Sequence, residues 1–91
     1  MPPTITDNPA LNRYELAVDG GVAFVSYRRS GNTIELLHAE VPPQLEGRGL
    51  GSRLARETLE LIRAEGLRVV PRCGFIAAFM RRNREFSDLL A

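Results

Sequence analysis

The stretch that decides the fold is QLEGRGLGS, residues 44–52, in which glycine occupies every second position from 47 to 51. It follows a predicted strand that ends before Pro42 and precedes a predicted helix that begins near Leu50. Glycines let the backbone approach a ligand closely and turn its N–H groups toward it. The first N–H groups of the helix add unpaired donors and a positive dipole end. Together these features predict a site for a pyrophosphate group.

The glycine loop has two other possible interpretations, a dinucleotide-binding loop and a loop without a ligand. A dinucleotide-binding loop places its glycines as G-x-G-x-x-G, whereas residues 47–51 read G-x-G-x-G. The next predicted strand ends in Pro71-Arg72, without the acidic residue that would hold a ribose hydroxyl. A dinucleotide is therefore disfavoured. The other interpretation is a loop that is merely rich in turn-forming residues, although three alternating glycines cost chain entropy.

Upstream of the loop, the sequence predicts an antiparallel meander of three strands. Polar and apolar residues alternate over residues 14–18, and Asp19-Gly20-Gly21 is typical of a tight turn. Residues 22–28 form the predicted return strand. Residues 33–41 form the third strand, which Pro42-Pro43 ends because proline cannot donate to a ladder.

Downstream of the loop, the apolar period changes to that of a helix. From Leu50 onward apolar residues recur at three- and four-residue spacing, and Gly66 is a natural residue to end the helix. Residues 67–71 form a short predicted strand, and a second helix begins near Gly74. The predicted core stripe of that helix is Phe75, Ile76, Phe79 and Met80, and its first turn is also a candidate for ligand contact. The order β-β-β-α-β-α predicts an α+β fold whose mixed sheet gains a parallel strand through one β-α-β crossover.

Length and composition indicate one small domain and exclude several kinds of site. Residues 1–12 are rich in Pro, Asn and Asp and are predicted to be a flexible lead-in, followed by a single domain over residues 13–91. The chain has one Cys, one His and no Lys. This excludes a P-loop lysine, a Schiff base and a multi-histidine or multi-cysteine metal site, so we predict no metal.

The charge and the apolar runs bear on partners and location. A net charge of +1 disfavours non-specific nucleic-acid binding, although the second half of the chain is rich in Arg. No apolar run reaches the length of a membrane helix, and the first residues do not have the pattern of a signal peptide. A cytoplasmic protein without membrane contact is predicted.

Three segments of the sequence resemble the small single-domain branch of the GCN5-related N-acetyltransferases (GNATs). They are LHAEV (37–41), EGRGLG (46–51) and PRCGF (71–75), and the spacing Q-x-x-G-x-G before a helix resembles motif A of that family. The resemblance covers residues 13–90. It implies a minimal GNAT fold that binds acetyl-CoA between the ends of the third and fourth strands. The residues it implies for binding are Val41, Gln44, Leu45, Glu46, Gly47, Arg48, Gly49, Leu50, Gly51 and Ser52.

Three side chains are candidates for catalysis at that site. Cys73 lies just beyond the fourth predicted strand and is a proton donor, a nucleophile, a wall of the acetyl pocket or a plain buried thiol. His38 and Glu40 alternate with Ile34 and Leu36 on one predicted face of the third strand. Either is a candidate base, or that face is ordinary surface. The candidates for the 3′-phosphate of CoA are Arg48, Arg72, Arg81 and Arg82.

The sequence favours one function and leaves two alternatives. The resemblance implies an acetyl-CoA-dependent N-acetyltransferase that acts on a protein, peptide or other amine by direct transfer. The first alternative is a module that binds CoA or acyl-CoA without turnover, because Asp19-Gly20-Gly21 stands where larger relatives have two helices over the acceptor. A homodimer that completes the site fits the same observation. The second alternative, a nucleic-acid-binding protein, has no aromatic-interleaved basic run to support it.

Overall fold

The computed structural model describes residues 5–91, which form one five-stranded sheet and two α-helices. The strands are β1 (Ile5–Asn8), β2 (Arg13–Val18), β3 (Gly21–Ser30), β4 (Thr33–Glu40) and β5 (Arg68–Pro71). The helices are α1 (Leu50–Ala64) and α2 (Gly74–Arg82), and 3-10 turns cover Pro43–Leu45 and Arg84–Leu89. In the order β1-β2-β3-β4-β5, the first four strands pair antiparallel and β4 pairs parallel with β5. The predicted α+β fold with a mixed sheet is confirmed.

The amino-terminal segment corrects the predicted flexible lead-in over residues 1–12. Residues 5–8 form strand β1, which pairs with β2 from Ile5–Leu16 to Asn8–Arg13. Ile5 is 8% exposed and belongs to the core, and the hydroxyl of Tyr27 donates to Asp7 over 2.7 Å. One apolar anchor and one side-chain hydrogen bond therefore fix a segment whose polar composition indicated a loop. Residues 1–4 of that prediction lie outside the described residues.

A single apolar core lies between one face of the sheet and the two helices. The strand residues that face it are Tyr14, Leu16, Ala23, Val25, Tyr27, Ile34, Leu36 and Val69. The helix residues that face it are Leu54, Ala55, Leu59, Ile62, Ile76, Phe79 and Met80. The opposite face of the sheet, called here the outer face, carries mainly polar and charged side chains. The alternation of side chains along each strand produces this division.

One irregularity in β4 interrupts that alternation. The pairing of β3 with β4 passes from Tyr27–Leu36 directly to Ser26–His38, so Leu37 is an extra residue in β4. Such a β-bulge bends the strand and breaks the regular order of its side chains.

The bulge overturns the predicted face of the third strand. Ile34 and Leu36 are buried in the core, and beyond the bulge Ala39 packs against the core as well. His38 and Glu40 lie on the outer face, where their side chains are 60% and 58% exposed. The prediction that His38 and Glu40 share a face with Ile34 and Leu36 is wrong, because one extra residue reverses the period of two.

Candidate functional site

β4 and β5 separate at the level of the bulge. Their parallel pairing runs from Thr33–Arg68 to Leu36–Pro71, and the N–H of Cys73 then donates to the carbonyl of Leu36 over 2.9 Å. Beyond that bond, β4 continues beside β3 as far as Glu40. A gap therefore opens between the end of β4 and the start of α2, at the carboxyl end of the parallel pair, where open sheets bind ligands.

A cavity of about 430 Å³ occupies this gap. The end of β4, the glycine loop, the first turns of α1 and the start of α2 each contribute to its wall. The lining residues are Ala39, Val41, Leu45, Glu46, Gly47, Gly49, Leu50, Gly51, Ser52, Leu54 and Phe75. Of the residues predicted to bind the cofactor, all but Gln44 and Arg48 are among them.

Two glycines of the loop adopt backbone conformations that other residues rarely adopt. Gly47 has φ +84° and Gly49 has φ +72°, both in the left-handed region. A Cβ added at either position would meet nothing within 4 Å, so both open onto free space. Gly49 immediately precedes α1, whose first-turn N–H groups have no acceptor within the helix. The loop thus exposes backbone donors to the cavity.

The third glycine has a different role. A Cβ at Gly51 would lie 3.0 Å from Cζ of Phe75, so glycine here lets the ring pack closely against α1. Phe75 lines the cavity and is 40% exposed, so its assignment to the core stripe is wrong, and it lies in the first turn that was also a candidate for ligand contact. The physical reason is position: Phe75 is the second residue of α2, ahead of the turn that the sheet covers.

The loop is anchored on the turn between β2 and β3. The side-chain amide of Gln44 donates to the carbonyl of Gly20 over 3.1 Å, and Leu45 is 2% exposed. A Cβ at Gly20 would lie 3.3 Å from Cδ2 of Leu45. Gln44 therefore positions the loop instead of lining the cavity.

The two candidate bases form a pair on the outer face. Nε2 of His38 lies 3.3 Å from Oε1 of Glu40, and the ring of Phe24 stands edge-on to the imidazole with centroids 6.2 Å apart. The guanidinium of Arg13 covers the other side of Phe24, 4.4 Å from its centroid. The pair lies on the side of β4 opposite the Ala39 side chain, and neither residue lines the cavity.

Cys73 lies at the closed end of the gap. It is half-buried, packs against the core and is the residue that immediately precedes α2. Its backbone joins β4 through Leu36, and its carbonyl accepts the N–H of Ala77 in the first turn of the helix. The structure thus holds the Cys73 backbone firmly where the two strands diverge.

The four arginines predicted for a phosphate lie in different places. Arg48 is exposed on the glycine loop. Arg72 lies 3.3 Å from Glu35 on the outer face, and Arg81 lines a separate cavity of about 520 Å³. Arg82 is exposed at the end of α2. Arg48 is the one of these four that the structure places in the loop.

The family described as GCN5-related N-acetyl-transferase matches residues 13–89. The chain belongs to this family. Two relatives of this GNAT chain are both called Protein NATD1: that of Bos taurus is 36% identical over 50 residues, and that of Xenopus tropicalis is 31% identical over 51. The matches cover 55% and 56% of this chain and 44% and 47% of those proteins, so it spans less than half the length of either.

A solved structure shows the same fold. The GNAT chain superimposes on the solution NMR structure of a protein from Staphylococcus aureus described as GCN5-like, with a TM-score of 0.71. The match covers 96% of this chain and 86% of that chain at 23% identity. Within residues 5–91 of the GNAT chain, no helix is both long and apolar enough to span a membrane. In the same residues, no three His, Cys, Asp or Glu side chains converge as a metal site.

Sequence reasoning missed two lining residues of this GNAT chain, Ala39 and Leu54. Ala39 was missed because the bulge changes which face of β4 it lies on. The adjacent pair Leu36-Leu37 was a signal for this bulge, since two apolar neighbours interrupt an alternating strand. Leu54 lies in the core, as its helical spacing predicts, and it also lines the cavity, which helical periodicity alone does not indicate.

Proposed function

We propose that this GNAT chain transfers an acetyl group from acetyl-CoA to an amine by direct attack of the amine. The observation that carries the proposal is the cavity between the end of β4 and the start of α2. One end presents left-handed glycines and the amino terminus of α1, whose first turn contains no acidic residue. The remainder is lined by apolar side chains, among them Val41 and Phe75. This combination suits a ligand with anionic phosphates and an apolar arm.

Each part of the cavity is assigned a part of that ligand. The backbone N–H groups of residues 47–52 bind the pyrophosphate, Phe75 flanks the apolar arm, and Ala39 lies at the acyl end. The backbone of Val41 pairs with an amide of the arm and stabilises the carbonyl oxygen as it gains charge. When bound, acetyl-CoA supplies the acetyl group as a thioester.

Transfer needs a base for the amine and a proton for the sulfur. The amine nitrogen forms a bond to the acyl carbon while the carbon–sulfur bond breaks, a base takes the proton that nitrogen loses, and sulfur receives a proton. We assign the base to the His38–Glu40 pair, whose 3.3 Å contact lets one group take the proton while the other orients it. Cys73, at the closed end of the gap, is assigned as the proton donor.

The acceptor we propose is an amine on a protein or peptide. The connection between β2 and β3 is the two-residue turn Asp19–Gly20, and His38 and Glu40 are both more than half exposed. An open cleft makes few contacts with a small metabolite but is accessible to a larger partner. A second copy of the chain that completes the site is the alternative. A micromolar KM for one small amine, on a protein shown to be monomeric, would contradict both.

The cofactor assignment is tested by Gly49→Val with Gly31→Val as its control. Both glycines have positive φ and open space around an added Cβ, so valine strains the backbone similarly at each. Gly31 lies in the β3–β4 turn, at the other end of β4 from the loop. We expect calorimetry to show that Gly49→Val loses CoA binding while Gly31→Val retains it. Equal CoA affinity in the two folded variants would reject the site.

One observation favours a second candidate, a module that binds CoA without turnover. His38 and Glu40 lie on the outer face, whereas the cavity is lined from β4 by Ala39. Incubation with radiolabelled acetyl-CoA and a library of amines and peptides separates the two functions. Labelled amide product supports the transferase, and CoA binding without any product supports the module.

A further inference from the structure

We infer that Ala39 sets the size of the acyl group that this site accepts. The site accommodates propionyl and butyryl groups in addition to acetyl. This inference rests on the proposed function, and its test distinguishes failure of the inference from failure of that function. The reaction balances in the same way for each acyl group: nitrogen gains the acyl carbon and loses a proton, and sulfur leaves and gains one.

The order of the lining residues along the chain gives Ala39 its position. β4 leads from Ala39 through Val41 to the turn Pro43–Leu45 and into the glycine loop. A ligand held at its phosphate end by the loop therefore extends along β4 toward Ala39. Because Ala39 is the lining residue of β4 farthest from the loop along the chain, the acyl end of the ligand lies beside it.

The bulge determines that an alanine occupies this place. Ala39 pairs with Val25 on the core side, whereas His38 and Glu40 lie on the outer face. Ala39 is consequently the side chain that β4 places against this end of the cavity, and its single methyl group leaves free the space that a valine would fill.

Exposed apolar surface borders the same gap. Five large apolar side chains of the described residues are at least 40% exposed, and Leu37 and Phe75 are two of them. Leu37 directly follows the residue whose carbonyl accepts the Cys73 N–H, and Phe75 lines the cavity. A longer acyl chain would remove such surface from water, which tightens binding by about three- to fourfold for each methylene buried.

Calorimetry with CoA, acetyl-CoA, propionyl-CoA and butyryl-CoA tests the inference on the wild-type chain and on Ala39→Val. Wild type is expected to bind butyryl-CoA about tenfold more tightly than acetyl-CoA. Ala39→Val is expected to lose this gain, so that it binds butyryl-CoA no more tightly than acetyl-CoA. Ala17→Val, at an exposed position of β2, is the matched control and keeps the gain. Threonine has nearly the same volume as valine, so Ala39→Thr replaces Ala39→Val if the valine variant does not fold.

The outcomes distinguish the inference from the function beneath it. Weaker wild-type binding of butyryl-CoA than of acetyl-CoA would overturn the inference while CoA binding stands. So would a full gain in a folded Ala39→Val or Ala39→Thr chain. Failure of the folded wild type to bind any of the four compounds would reject the proposed function, and the inference with it.

Discussion

The two halves of β4 differ in pairing and burial although they belong to one eight-residue strand. Residues 33–36 pair with β3 on one side and β5 on the other, and Ile34 and Leu36 are 1% and 0% exposed. Residues 38–40 continue the pairing with β3, and the bulge residue Leu37 is 40% exposed. The half that is paired on both sides supports the core, and the other half carries the cavity wall and the candidate base.

The difference shows how a small sheet combines rigidity with an accessible site. The bulge at Leu37 coincides with the end of the parallel pairing, so the strand leaves its partner and changes its faces at the same point. β3 supports both halves without interruption of the sheet. The candidate base, His38 with Glu40, therefore lies on a part of β4 that still pairs with β3.

The largest expected effect compares two adjacent leucines. Leu36→Ala removes a fully buried side chain and should lower the free energy of unfolding by about 3 kcal/mol. Leu37→Ala changes an exposed side chain and should lower it by less than about 1 kcal/mol. Urea unfolding of both variants measures the difference. Similar losses would mean that the bulge does not separate the halves energetically.

The next effect compares two glutamates on the outer face of β4. Glu40→Gln, or His38→Gln, should reduce turnover by about a hundredfold, the usual contribution of a positioned base. Glu35→Gln makes the same change in the doubly paired half and should leave turnover unchanged. Steady-state rates with a peptide amine, together with CoA affinity, provide the readout. Undiminished turnover in both Glu40→Gln and His38→Gln would assign the pair to ordinary surface.

A smaller effect is expected at Cys73, where the two strands diverge. We favour direct transfer because His38 contacts Glu40, which leaves Cys73 without an acid–histidine relay through that residue. Cys73→Ala should therefore lose less than about a hundredfold in turnover. Intact-mass measurement after exposure to acetyl-CoA should show no stable adduct. A stoichiometric acetyl group on Cys73 that an added amine discharges would show that this residue is the nucleophile.

The smallest expected effect concerns acid stability of the doubly paired half. A hydrogen bond from Arg28, and then one from Arg72, holds the pKa of Glu35 below its ordinary value of 4.5. This pairing stabilises the fold above the pKa of the unfolded carboxyl, and the stabilisation is lost as pH falls through the lower folded value. Glu35→Gln should accordingly flatten the decline in melting temperature below pH 4.5. An unchanged decline would mean that this ion pair contributes nothing to the loss of stability at low pH.

The sequence predicted the elements whose signals are local. The turn at Asp19–Gly20, the stop at Pro42-Pro43, and the start of α1 at Leu50 are set by residues within a few positions, and the structure agrees with each. The glycine loop 44–52 also lies where its composition indicated, beside a cavity.

What the sequence did not predict depends on distant contacts. β1 has a single large apolar residue, Ile5, and becomes a strand because β2 and α1 provide partners for it. The bulge at Leu37 exists only relative to its neighbour β3. Phe75, the second residue of α2, packs against Gly51, which lies twenty-four positions earlier in the chain. Local periodicity carries no information on such pairings.

The double-glycine turn between β2 and β3 restricts where this scaffold can be enlarged. Pro42 and Leu45 sit so close to it that a Cβ at Gly21 would lie 3.2 Å from Pro42, and one at Gly20 lies 3.3 Å from Leu45. An insertion at this turn, such as a cap over the acceptor, would clash with Pro42 and Leu45, which lead into the glycine loop. By contrast, a Cβ at Gly31 meets nothing within 4 Å, so a grafted lid or affinity tag is better accommodated in the β3–β4 turn.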